Sequence, residues 1–125
     1  KQMSYKKAEP VKVYKSFQEF YPFYLSQHSK PLTKLFHFVG TSLGLVCWLK
    51  FLWKFIQSLL HKGVQLAAQD YRLIPAGIVV GYACAWVSHF FIEQNKPATF
   101  KYPTYSFMGD WVMWFDILRG KHRVL

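Results

Sequence analysis

Residues 73–92 read LIPAGIVVGYACAWVSHFFI, twenty positions without one lysine, arginine, aspartate or glutamate. At 1.5 Å per residue a helix of this length reaches about 30 Å, the depth of a bilayer's hydrocarbon core. The stretch therefore reads as a membrane-spanning helix. A second run, residues 35–49, holds fifteen uncharged positions and continues as KFLWKFIQSLLH to His61. Lys50, Lys54 and His61 recur there at helical spacing while Phe51, Leu52, Phe55, Ile56 and Leu59 fill the intervening positions. Residues 33–61 read as one long helix, apolar first and amphipathic later, whose lysines can snorkel toward headgroups.

Both runs carry small residues one turn apart. Gly77 and Gly81 form a GxxxG extended by Ala85, and Gly40 and Gly44 form another. Because lipid supplies no hydrophobic force between helices, close backbone approach at such residues is what holds them together. The two helices are expected to cross at these four glycines, and a bulky residue at Gly81 to push them apart.

Around this pair the chain divides simply. Residues 1–12 are a basic, weakly structured lead. Residues 13–28 place Val13, Phe17, Phe20, Tyr21 and Tyr24 along one side of a short helix that ends between Ser29 and Pro31, since the residue before proline disfavours helix. Residues 94–104, with two prolines and two lysines, read as loop. Residues 105–118 (YSFMGDWVMWFDIL) read as an amphipathic helix of the interfacial kind. The expected fold is all-α: one domain over residues 1–125, a small integral membrane bundle of at least two spanning helices plus amphipathic interfacial ones.

Composition excludes several classes. A 125-residue chain with 20% aromatic residues is not disordered, and 52% hydrophobic residues barely exceeds the share in soluble proteins, so only the distribution marks a membrane protein. Cys47 and Cys84 lie in apolar runs without CxxC spacing and read as packing residues. The net charge of +10 raises nucleic-acid binding, but the lysines flank apolar runs and do not interleave with exposed aromatics, so anionic headgroups explain them better. Basic residues at both ends place both termini on the cytoplasmic face with an even number of crossings.

The polar residues at the span edges are what a bland anchor does not need. His28 and His37 are nine apart, so on an unbroken helix they would face opposite ways, but Pro31 between them allows a break that turns both inward. His89 lies near the end of the second span with Glu93 four residues on. Three imidazoles and a carboxylate suffice for a mononuclear metal with open positions. The same residues also read structurally: each histidine as an interfacial hydrogen-bonder, Glu93 as a partner of Lys96 or Lys101, Asp110 as a cap or ion pair within its own helix. His61 and His122 lie in basic amphipathic stretches and read as solvent- or headgroup-facing. Five histidines without HxxxH or HxxHH cannot build a di-iron desaturase site of eight or so ligands. No GxSxG supports hydrolysis.

Two blocks carry a resemblance. FYPFYLSQHSKPLTKLFHFVGTSLGL at 20–45 and GYACAWVSHFFIEQNKPATFKYPTYSFMGDW at 81–111 closely resemble the small membrane family that includes the yeast 2-hydroxy fatty acid dioxygenase of phytosphingosine breakdown and bacterial members of similar size. The resemblance rests on the paired histidines, the HFFIEQN stretch and the PATFKYP loop in order. It implies an iron(II)-dependent dioxygenase, with O2 as cosubstrate, that shortens a long-chain 2-hydroxy fatty acid by one carbon in α-oxidation. The metal ligands it implies are His28, His37 and His89, and Glu93, Asn95 and Asp110 match its motif as catalytic candidates. A 2-hydroxy acid can chelate ferrous iron through carboxylate and hydroxyl oxygens and leave a position for O2, so no organic cosubstrate is needed. Membrane lipids are the expected surroundings, in a bacterial inner membrane or the endoplasmic reticulum, with no nucleic-acid partner. The alternative is a non-catalytic lipid-binding or scaffold protein of the membrane.

Overall fold

Ser16 sets the start of the first helix. Its hydroxyl accepts from the backbone N–H of Glu19 at 3.2 Å, and the Glu19 carboxylate accepts from the Lys15 N–H at 3.2 Å, so two of the orphan donors at the helix start are satisfied. The helix α1 runs Phe17–Ser26. In the computed structural model, which describes residues 13–122 and 124, Val13 therefore lies outside the helix and is exposed, not on its packed face. The basic lead at 1–12 lies outside the described residues.

The backbone N–H groups of Gln27 and His28 turn back onto carbonyls of α1, and Pro31 then opens α2, Pro31–Leu60, at the position where a missing N–H costs nothing. Helix α3, Ala68–Tyr71, is a single turn, and α4, Leu73–Val87, passes without a break into a π-helical segment, Ser88–Glu93. A 3-10 turn, Ala98–Phe100, interrupts the loop expected at 94–104, and α5 covers Pro103–Leu118. The protein is all-helical, with no strand among the described residues. The long expected helices are both present; the sequence pattern did not signal the change of helix type at Ser88.

Helices α2 and α4 lie antiparallel and touch at backbone level. A Cβ on Gly44 would stand 2.7 Å from the Gly77 carbonyl oxygen, and one on Gly40 would stand 2.6 Å from the Cys84 Cβ. Gly81 differs from the other three. A Cβ there would meet only the Gly40 carbonyl at 3.7 Å, an ordinary contact. The crossing thus rests on Gly40, Gly44 and Gly77, and the expectation of crowding at Gly81 is corrected.

Helix α5 forms the third wall. Its Trp114 Nε1 donates to Ser42 Oγ at 2.9 Å, and Tyr21 on α1 donates to Asp116 at 2.9 Å. Phe20, Tyr24, Ala98 and Met113 make the apolar cluster joining α1, the loop and α5. Elsewhere the burial pattern is inverted. His28, Thr33, His37, Ser88, His89, Glu93 and Asn95 are buried, while Leu49, Trp53, Leu60, Val79 and Phe91 are exposed. The helices Pro31–Leu60 and Ala68–Glu93 are each long and apolar enough to cross a membrane.

Gly44→Ala should lower the thermal unfolding midpoint, at a cost of about 1–3 kcal/mol, because the new methyl meets a rigid carbonyl and not a movable side chain. Gly81→Ala should leave the midpoint unchanged or raise it, since the site has room and alanine is the better helix former. Melting curves of the two variants check the assignment.

Candidate metal centre

Three elements deliver one histidine each to the end of the bundle where α2 begins and the π segment ends. The turn after α1 carries His28, the second turn of α2 carries His37, and the π segment carries His89. The break at Pro31 does what the sequence suggested for the first two. The three Nε2 atoms form a small triangle, with His28–His37 at 3.0 Å, His28–His89 at 3.0 Å and His37–His89 at 3.3 Å. All three histidines are buried, none more than 4% exposed.

The opposite nitrogen fixes the tautomer of two of the rings. His28 Nδ1 lies 2.6 Å from the Tyr24 carbonyl oxygen, which can only accept, so Nδ1 carries the proton. His89 Nδ1 lies 2.7 Å from Asn95 Oδ1, and the Asn95 amide donates to the Gln27 carbonyl and side chain at 3.1 Å, which leaves Oδ1 as the acceptor. His37 Nδ1 faces Asp110 Oδ1 at 3.4 Å. Burial, followed by the neighbouring imidazoles, holds His28 well below the ordinary imidazole value, so that ring is neutral. His28 and His89, each with Nδ1 on an acceptor, turn Nε2 lone pairs inward. The three Nε2 atoms therefore face one another at 3.0–3.3 Å with at least two acceptors among them.

A cation fits this donor set. Spacings of 3.0–3.3 Å let all three Nε2 atoms stand about 2.1 Å from one ion. His28, His37 and His89 could hold a metal ion. Imidazole donors suit zinc, copper, iron and nickel alike.

The other candidate residues surround the triangle in distinct ways. Asn95 orients His89. Gln94, in the left-handed region at φ 58°, reverses the chain after the π segment and returns Asn95 toward His89. Asp110 accepts from the Tyr24 hydroxyl through the same oxygen that faces His37, and burial pushes its carboxyl up to about 7 against the opposing pull of that hydrogen bond. It thus reaches across to α1 and α2, where a cap or ion pair within its own helix was one reading. Glu93 does not turn toward His89. Its carboxylate accepts from Ser29 Oγ at 2.8 Å, the Lys30 N–H at 2.6 Å and Thr33 Oγ1 at 2.7 Å, and so caps the N-terminus of α2 from another element. These partners take the place of Lys96 or Lys101. His61 ends α2 at the far end of the bundle, and His122 stands near Asp116, 3.8 Å away.

Sequence reading missed Tyr24, Gln27, Ser29, Thr33 and Gly109 as supporting residues. The Tyr24 ring stacks on His28 at 4.1 Å between centroids, and Gly109 lets α5 approach that ring, since a Cβ there would lie 2.9 Å from it. Tyr24 looked like one more aromatic on an apolar face, and no local signal marks the others.

The fold and site define an all-helical protein with polar groups in its interior and, at one end, three buried histidines that could hold a metal ion. The family described as 2-hydroxy-palmitic acid dioxygenase Mpo1-like matches residues 14–122. The chain belongs to this Mpo1-like family. No curated protein and no solved structure matches it.

Asn95→Ala should weaken metal affinity about 10- to 100-fold, because His89 loses the acceptor that fixes its tautomer and ring angle. Titration of the metal-free protein with a divalent first-row ion, against wild type, reads the change.

Proposed function

We propose that this protein is an iron(II)-dependent dioxygenase that removes the first carbon of long-chain 2-hydroxy fatty acids. The observation that carries the reading is the triangle of inward-facing Nε2 atoms of His28, His37 and His89, in a chain whose family is described by that activity. Ferrous iron held there supplies O2 activation together with open positions for a hydroxyl and a carboxylate oxygen. The overall change needs no organic cosubstrate: one O2 takes four electrons from the 2-hydroxy acid, giving the acid one carbon shorter, carbon dioxide and water.

The chain's own residues keep the centre in register. The Tyr24 carbonyl and Asn95 hold the Nδ1 protons of His28 and His89 outward, so their Nε2 lone pairs stay directed at one point, and Asp110 faces Nδ1 of His37. Glu93 ties the start of α2, and with it His37, to the segment carrying His89. The Lys30 ammonium adds a second tie to the Ile92 carbonyl at 3.0 Å. Glu93 and Asn95 hold protein groups, which supports positioning roles. Asp110 also borders the open groove beside His37, which supports a direct role with substrate.

Membrane embedding follows from the same pattern. A surface of exposed leucine, valine, phenylalanine and tryptophan around a polar interior suits lipid surroundings, in a bacterial inner membrane or the endoplasmic reticulum. Asp116, with Arg119 and Lys121 beside it, joins α5 to α1 at the histidine end, and basic residues there favour a cytoplasmic face for the centre and the termini.

His89→Ala should abolish both iron retention and turnover of 2-hydroxypalmitic acid, read by metal analysis, O2 consumption and the one-carbon-shorter product after anaerobic iron reconstitution. His61→Ala should keep both, because His61 sits at the far end of α2. Full activity without His89, or an equal loss without His61, would overturn the assignment. A purified wild type that retains no metal would favour the lipid-binding or scaffold reading.

A further inference from the structure

A groove runs from the histidine centre along the joint of α2, α4 and α5. On α2 it is lined by His37, Gly40, Thr41, Gly44 and Trp48, positions that share one helical face. Between the first and last of them the helix advances roughly 16 Å, the length of a dozen or so methylene groups. The groove is shallow, with a cavity volume of about 40 Å³, and is open along one side, so a chain seated in it would keep one flank outside the protein.

Its two ends differ in chemistry. The inner end has His37 and Asp110, beside the Nε2 triangle. The outer end has no ionisable group, and aromatic rings close it. The Trp48 ring lies over Gly77, where a Cβ would stand 2.7 Å from its Nε1, and that Nε1 donates to the Ile74 carbonyl at 3.0 Å. Trp111 stacks on Trp48 at 6.0 Å and Phe107 stands 6.3 Å away. A ring held by a hydrogen bond on one side and by stacking on the other is a fixed stop. Between the ends the walls are glycine, Thr41, Ile78 and Tyr82, none of them charged.

We propose that this groove takes the acyl chain of the 2-hydroxy acid and that Trp48 sets the chain length the centre accepts. The proposal rests on the reading of the centre as a 2-hydroxy acid site, and it adds a residue that decides which acids fit. Methylenes that lie along the groove add contacts and tighten binding, and methylenes beyond the Trp48 ring add nothing.

The test is a series of saturated 2-hydroxy acids from octanoic to icosanoic, with affinity for the metal-loaded protein and turnover measured separately. Wild-type affinity should rise with length and then level off. Trp48→Ala should extend the rise by roughly one helical turn of groove, about four carbons. Thr41→Phe, which fills the groove one turn from His37, should weaken the longest acids at least tenfold while keeping the metal and the affinity for 2-hydroxybutyrate. If Trp48→Ala fails to fold, Trp48→Phe should show a smaller shift in the same direction. Superimposable length profiles in folded Trp48 variants, with wild-type affinity for long acids in Thr41→Phe, would overturn the proposal. Turnover with an unmoved profile removes the stop and leaves the dioxygenase reading intact. A shifted affinity profile without turnover keeps the stop and removes that reading.

Discussion

Three buried imidazoles bring their Nε2 atoms within 3.0–3.3 Å of one another, and buried acceptors without donors are among the costlier features an interior can hold. The surrounding structure over-determines the arrangement. His28 and His89 are pinned through their other nitrogens to a carbonyl of α1 and an amide oxygen of the loop after the π segment, and His37 faces a carboxylate of α5 at 3.4 Å. A cation at the meeting point gives the facing Nε2 acceptors a partner. The economical reading of so much fixed geometry is a site built around positive charge.

The bundle's shape follows from the need to bring α2 and the end of α4 together. Gly40, Gly44 and Gly77 remove the side chains that would hold these helices apart. His37 lies one turn below Gly40, and His89 lies two turns beyond Gly81, so the same contact that joins the helices sets the reach between their imidazoles. Glu93 then closes the end. Its carboxylate satisfies donors at the start of α2, where Lys30 supplies no side-chain cap. Without a partner from another element, those groups would face a low-dielectric interior.

Glycine at the crossing leaves a second mark. Helices that meet without side chains leave a trough beside their contact, and α5 roofs it with Phe107, Asp110 and Trp111. The packing that forms the site therefore also leaves an apolar approach to it. Polar groups fill the interior near the histidines while leucine, valine and phenylalanine face outward, the reverse of a soluble core.

The sequence by itself determined the helical content, the two long apolar helices, the break at Pro31 and the identity of the three histidines, because these depend on periodicity, on proline chemistry and on the scarcity of ionisable groups in apolar runs. Tertiary structure alone decided what the polar neighbours do. Glu93 reads as a neighbour of His89 when a regular α-helix is assumed, yet the π segment and the start of α2 turn it to Ser29, Lys30 and Thr33. Asn95 reaches His89 only because Gln94 reverses the chain, and Tyr24 meets Asp110 only because Gly109 lets α5 come close. Such partnerships join residues as many as 86 positions apart, and no local pattern encodes them: hydrogen-bond partners are chosen by whichever elements packing brings within 3 Å, and packing is a property of the whole chain.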